Sequence, residues 1–184
     1  MNLPNKLTVL RILMIPVFLV IVSIPQETFG YCFNNIPLTH IIGGVVFSLA
    51  SVTDWLDGYL ARKWKLVTNF GKFADPLADK MLVMSAFVVL IALNFAPAWV
   101  IAIIVCRELA VTGLRLLLVE ESGEVMAAAW PGKIKTATQM LAIIFLFFHV
   151  PIVGTLFLYI CLIATVYSGV DYFAKNAEVF KGGM

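Results

Sequence analysis

The reading turns on Asp54-Trp55-Leu56-Asp57-Gly58-Tyr59-Leu60-Ala61-Arg62, followed after eight residues by Gly71-Lys72-Phe73-Ala74-Asp75-Pro76-Leu77-Ala78-Asp79. Four of the eleven acidic residues sit in this short stretch of an otherwise apolar chain. Of 184 residues, 61% are hydrophobic and 13% charged, and the mean hydropathy is +0.97. That is more apolar surface than a soluble core of this size can hide. The composition predicts an all-α integral membrane protein. The length leaves room for about six spans of roughly 20 residues and little else, so residues 1–184 are expected to form a single transmembrane domain.

Outward from the motif, apolar runs place spans near 7–24, 38–60, 76–96, 98–118, 134–149 and 152–172. Six spans put both termini on one side. All 13 basic residues lie in or toward segments on that side, and the opposite loops near 25–37, 95–98 and 149–152 hold no Lys or Arg. The positive-inside rule then makes the termini cytoplasmic. A net charge of +2 is too small to point to nucleic acid. The first span superficially resembles a secretory signal, but Ile24-Pro25-Gln26 is no small-residue cleavage site and further spans follow, so a retained helix is expected. Cys32, Cys106 and Cys161 lack metal-ligand spacing and read as packing residues. His40 and His149 fall near the outer face, far from the motif, and are assigned no role. Trp55, Trp64, Trp99 and Trp130 fall near span ends, where aromatic belts form.

Counting about 1.5 Å per residue from Leu38, Asp54 and Asp57 lie roughly 24 and 28 Å along the second span, near its cytoplasmic end. Asp75 and Asp79 open the third, with Pro76 acceptable in its first turn and a polar hairpin from Arg62 to Ala74 before it. Relative to Asp54, the positions of Asp57, Gly58, Ala61 and Arg62 fall at about −60°, 40°, −20° and 80°, one stripe. Gly58, Ala61 and Gly71 remove bulk where helices or a ligand approach closely. Gathered carboxylates repel unless cations neutralise them. Oxygen ligands without His or Cys favour Mg²⁺ or Mn²⁺, and two such ions about 3.5–4 Å apart suit phosphoryl chemistry. The plainer alternative is separate interfacial charges paired with Arg62, Lys72 and Lys80.

A second group is cationic: Arg107, Arg115, Lys133 and Lys135, with Glu108 and Thr136 beside it. Arg107 would lie about 15 Å into its span and needs a polar cavity. A contact between Arg107 and Glu108 is not expected, because neighbours on a helix do not face each other. Four cations around one cavity suggest a dianionic phosphate ligand.

With these residues in view, Asp54-x-x-Asp57-Gly58-x-x-Ala61-Arg62, eight residues, Gly71-x-x-x-Asp75-x-x-x-Asp79 resembles the signature of the CDP-alcohol phosphotransferases without departure. The resemblance implies a six-helix bundle, usually homodimeric, binding a cytidine diphosphate-linked donor and two divalent metals. It implies Asp54, Asp57, Asp75 and Asp79 as metal ligands, with Asp79 also the general base, and Asp54, Gly58, Ala61, Arg62 and Gly71 around the donor.

Ile104-Val105-Cys106-Arg107-Glu108, Gly113-Leu114-Arg115, Gly132-Lys133-Ile134-Lys135-Thr136 and the opening Asn5-Lys6-Leu7-Thr8-x-x-Arg11 resemble the bacterial phosphatidylglycerophosphate synthase branch. That implies CDP-diacylglycerol as donor and sn-glycerol 3-phosphate as acceptor, held by Arg107, Arg115, Lys133, Lys135 and Thr136, at the inner or plasma membrane. Other acceptors, namely inositol phosphate, serine or phosphatidylglycerol, stay open within the family. A divalent-cation transporter is a further alternative, weakened because the aspartates crowd one membrane edge with no matching acidic site on the outer half to complete a path.

Overall fold

The computed structural model describes residues 3–32, 36–64, 69–122 and 130–176, and the side chains of these except 3–5, 32, 55–64, 69–76, 116, 117, 119–122 and 131. The described chain is almost entirely helical. The elements in order are α1 (Leu3–Ser23), α2 (Gln26–Phe29), β1 (Tyr31–Cys32), β2 (Ile36–Pro37), α3 (Leu38–Trp64), α4 (Asn69–Ala92), α5 (Ala98–Ser122), α6 (Trp130–Phe147) and α7 (Pro151–Lys175). The six long helices follow the six apolar runs. The segment before α3 adds one short helix and a two-residue antiparallel pairing, Tyr31 with Pro37 and Cys32 with Ile36.

The largest shift is at α4, which starts at Asn69, so Pro76 is its eighth residue and not part of a first turn. The helices α3 and α4 therefore enclose most of the segment expected to be a hairpin. Pro76 removes one backbone donor and crowds the carbonyl of Lys72, yet the helix runs through it.

Large apolar side chains cover the outside, among them Val20 (64% exposed), Ile163 (70%) and Ile152 (84%). Apolar exposure on this scale suits a surface that meets a membrane or another protein. Among the described residues, two helices are long and apolar enough to cross a membrane: α1 over Lys6–Ser23, with mean hydropathy 2.2, and α7 over Pro151–Lys175, with 1.9. The apolar part of α3 stops at Asp54, where the motif begins. Charged residues likewise break the apolar runs of α4, α5 and α6.

The chain divides into two compact units: Met1–Phe95 with Ile143–Pro151, and Ala96–Ala142 with Ile152–Met184. In the first, α1 packs along both α3 and α4. Its buried stripe is Thr8, Arg11, Ile15, Phe18 and Val22, spaced three and four apart as one helix face requires. The stripe is polar where it approaches the aspartate motif and apolar beyond. Phe18 meets the Phe47 ring at 6.4 Å and Phe147 edge-on at 5.6 Å. Gly43 brings α1 close, since a Cβ there would stand 2.5 Å from Val22 Cγ2. Pro16 lies inside α1, one turn past Ile12.

At the far end of α3 from the motif, His40 Nδ1 and His149 Nε2 share a hydrogen bond of 2.8 Å. Their rings stack, and Phe95 stands edge-on to both. Burial pushes the His149 imidazole below its ordinary pKa. In the second unit the buried face of α7 is Gly154, Leu158, Cys161, Thr165, Ser168 and Gly169. Cys161 is a packing residue as expected, whereas Cys106 is exposed.

Candidate functional site

In the first unit α3 is one continuous helix to Trp64, so the register calculated from Asp54 to Arg62 holds along its backbone. Asp54 is ion-paired with Arg11 of α1. The guanidinium is fully buried and the carboxylate about one-third exposed, at 34%. A partner of Asp54 is thus Arg11 on α1, and Thr8 is buried one turn before Arg11 on the same stripe; Arg62 and Lys72, the partners expected from the sequence, have side chains outside the described residues. Sequence reasoning used Arg11 for topology and in a resemblance, but did not give it a carboxylate to hold. The signal was its place in a heptad-like stripe, where a charge must find a partner.

Asp79 is half-buried on α4. The side chains of Asp57, Gly58, Ala61, Arg62, Gly71 and Asp75 lie outside the described residues, while their backbones lie in α3 and α4. Among the described residues no three His, Cys, Asp or Glu side chains converge. The donor chemistry nevertheless fits a hard divalent ion. Asp54 and Asp79 offer carboxylate oxygen, and the histidine pair stands at the opposite end of α3.

The second unit organises its charges around Glu108. Arg107 Nη1 donates to Glu108 Oε1 at 3.0 Å, and Lys135 Nζ donates to the same oxygen. Arg107 Nη2 donates to Ser168 Oγ on α7 at 2.8 Å. The contact between Arg107 and Glu108, unexpected from helix phase, therefore forms. The phase rule concerns Cβ directions, but a long guanidinium stem reaches round to a carboxylate that Lys135 already holds from α6. Gly169 gives that stem its room: a Cβ there would come within 3.1 Å of Arg107 Cγ.

Arg115, two turns further along α5, lies over the Tyr172 ring of α7 at 5.6 Å. Arg107 and Arg115 thus both face one side of α7, where Ser168 and Tyr172 are one turn apart. Their Nε atoms are buried and have no hydrogen-bond partner among the described residues. Lys135 is 5% exposed, with Thr138 and Gln139 buried nearby on α6.

Lys133 and Thr136 are placed elsewhere. Two residues turn a helix by about 200°, so Lys133 sits on the exposed side of α6 over the Trp130 ring, at 5.2 Å. Thr136 is exposed and donates to Gly132 O. The structure therefore gathers Arg107, Lys135 and Arg115 with Glu108, Ser168 and Tyr172. Among the described residues of this group, one carboxylate for three cations leaves it positive, as an anion site requires. Ser168, Gly169 and Tyr172 were missed in the sequence because nothing local distinguishes them on an apolar helix.

Set beside known proteins, residues 1–167 match the CDP-alcohol phosphatidyltransferase family. The chain belongs to that family. Its relatives include the CDP-diacylglycerol–glycerol-3-phosphate 3-phosphatidyltransferase of Bacillus subtilis strain 168, 47% identical over 189 residues that cover 98% of this chain and 97% of that protein. Proteins of the same name from Haemophilus influenzae and Rickettsia bellii are 36% and 38% identical. The first alignment covers 100% of this chain and 95% of the relative, and the second 97% of each. The motif expected to mark this family, and the segments expected to mark one branch, are found in a chain similar end to end to proteins so named.

Proposed function

We infer that this membrane enzyme transfers the phosphatidyl group of CDP-diacylglycerol to a hydroxyl of sn-glycerol 3-phosphate, releasing CMP and phosphatidylglycerol phosphate. The observation that carries the acceptor is the positive excess of the second unit, where Arg107 and Lys135 share the Glu108 carboxylate and Arg115 lies over Tyr172, one turn along α7 from the Ser168 that holds Arg107. A phosphate monoester dianion suits it; serine, a zwitterion at neutral pH, does not. Full-length likeness to relatives named for this reaction supports the same acceptor.

In this reading Asp54, Asp57, Asp75 and Asp79 hold two divalent ions, Mg²⁺ or Mn²⁺, which supply charge neutralisation for the donor diphosphate when bound. Asp54, Gly58, Ala61, Arg62 and Gly71 receive the cytidine diphosphate portion, and Arg11 fixes the Asp54 carboxylate. Asp79 takes the proton of the acceptor hydroxyl. The oxygen forms a bond to the phosphatidyl phosphorus, and the anhydride bond to CMP breaks. Arg107, Arg115 and Lys135 hold the acceptor phosphate, with Lys133 and Thr136 on the exposed flank of α6. All of 1–184 acts as one catalytic domain. It forms a six-span bundle in the inner or plasma membrane, with both termini and the reaction on the cytoplasmic side, and works as a homodimer.

The test is purified protein in detergent with CDP-diacylglycerol, Mg²⁺ or Mn²⁺, and radiolabelled glycerol 3-phosphate, inositol phosphate or serine. Lipid-soluble label is expected from glycerol 3-phosphate alone and is lost on chelation. Label from another acceptor in its place would reassign the acceptor site, and turnover unaffected by chelation would end the two-metal reading.

A further inference from the structure

Glu108 stands outside the roles assigned so far. It contacts both cations through one atom, Oε1, which accepts from Arg107 of its own helix and from Lys135 of α6. The two cations come from different elements, and Lys135 is buried. Left alone, each long side chain would be free to move, and their charges would repel. Arg107 is further constrained on α7, where Ser168 Oγ accepts from Nη2 and Gly169 admits its stem. One edge of the guanidinium is thereby committed to protein, while Nε has no hydrogen-bond partner among the described residues.

We propose that Glu108 is a positioning residue for the acceptor phosphate: its Oε1 sets Arg107 and Lys135 at a fixed separation and aim before the anion arrives. This rests on the glycerol 3-phosphate reading above and deepens it. Preorganisation removes the cost of ordering two long side chains on binding. The effect therefore belongs in the acceptor KM, with donor use untouched. A role in stability alone would not discriminate between the two substrates.

The experiment is a pair of substrate titrations on the full chain in detergent, for the wild type, Glu108→Ala, Glu108→Gln and Gly169→Ala. Glu108→Ala is expected to raise the KM for glycerol 3-phosphate about 10- to 100-fold, the scale of a charged hydrogen-bond network losing its anchor. The KM for CDP-diacylglycerol should stay put. Glu108→Gln keeps an accepting Oε1 and should recover most of the loss. Gly169→Ala presses on the Arg107 stem without changing any charge and should raise the acceptor KM roughly 3- to 10-fold. An unchanged acceptor KM in Glu108→Ala, or equal losses for both substrates, overturns the inference. Should the alanine variant fail to fold, an unchanged acceptor KM in Gly169→Ala overturns it instead. Wild-type protein inactive on glycerol 3-phosphate sinks the parent reading, whereas active wild type with unmoved variants sinks this inference alone.

Discussion

The two units differ in the charges gathered around their ion pairs. In the first, one guanidinium meets one carboxylate, Arg11 with Asp54, within a motif rich in aspartate. In the second, one carboxylate serves two cations, with Arg115 nearby on the same helix. A carboxylate-rich stretch restrained by a cation suits a positively charged ligand, and a cation cluster restrained by a carboxylate suits an anion. In the second unit the carboxylate holds two cations together, and in the first the cation holds Asp54. Desolvation makes bare like charges too costly to gather without such a partner.

That contrast is broken most severely at the aspartates. Asp57→Ala and Asp75→Ala should remove turnover at every acceptor concentration, and Asp79→Asn should lower kcat by about 10²- to 10⁴-fold, the range of a lost general base. Near-normal turnover in any of these folded variants would contradict the roles given to the acidic motif.

Next in size, Arg11→Met should weaken use of CDP-diacylglycerol about 10- to 100-fold by freeing Asp54, with the acceptor titration unchanged. Its melting temperature should also fall, by the equivalent of roughly 1–3 kcal/mol, because Asp54 keeps some access to solvent. If acceptor use suffered as much as donor use, the division of labour between the two clusters would be wrong.

The acceptor side sharpens the comparison. Lys135→Ala and Arg115→Ala should each cost about 10- to 100-fold in kcat/KM for glycerol 3-phosphate, whereas Lys133→Ala should stay within about twofold, as exposed substitutions usually do. Equal losses from Lys133 and Lys135 would show that the exposed flank of α6 takes part in binding.

The smallest effect is on the histidine pair. His149 has its folded pKa lowered by burial, so folding favours the neutral ring. That contribution is fully present above the unfolded pKa of about 6.5 and is lost as pH falls below it. The melting temperature should be lower at pH 5.5 than at pH 7.5, and the gap should shrink in His149→Gln. An identical gap in that variant would remove the imidazole from the account.

Helix positions were legible in the sequence because apolar runs end at clear breaks. The predicted starts at 38 and 98 agree with α3 and α5, and 152 with α7 to within one residue. The start of α4 was not legible: an interior proline costs about 3 kcal/mol, so reading Pro76 as a first-turn residue was natural, and only the assembled helix shows that it is carried inside. The aspartate motif and the cations were visible as residue types at fixed spacing. Their partners were not. Arg11 and Asp54, or Glu108 and Lys135, belong to different helices, and nothing in one-dimensional periodicity states which faces meet. Lys133 and Lys135 looked equivalent until α6 turned one outward.

Pro16 has a mechanical consequence for α1. Lacking an N–H, it leaves the Ile12 carbonyl without its partner one turn on. The rod is therefore weakest just beyond Arg11, between the turn that grips Asp54 and the turns that lie against Phe47 and Phe147. Bending there breaks no hydrogen bond at that carbonyl, so α1 yields most easily between its polar turns and its apolar ones. Deuterium uptake should register this as faster exchange at the amides before Pro16 than at those after it.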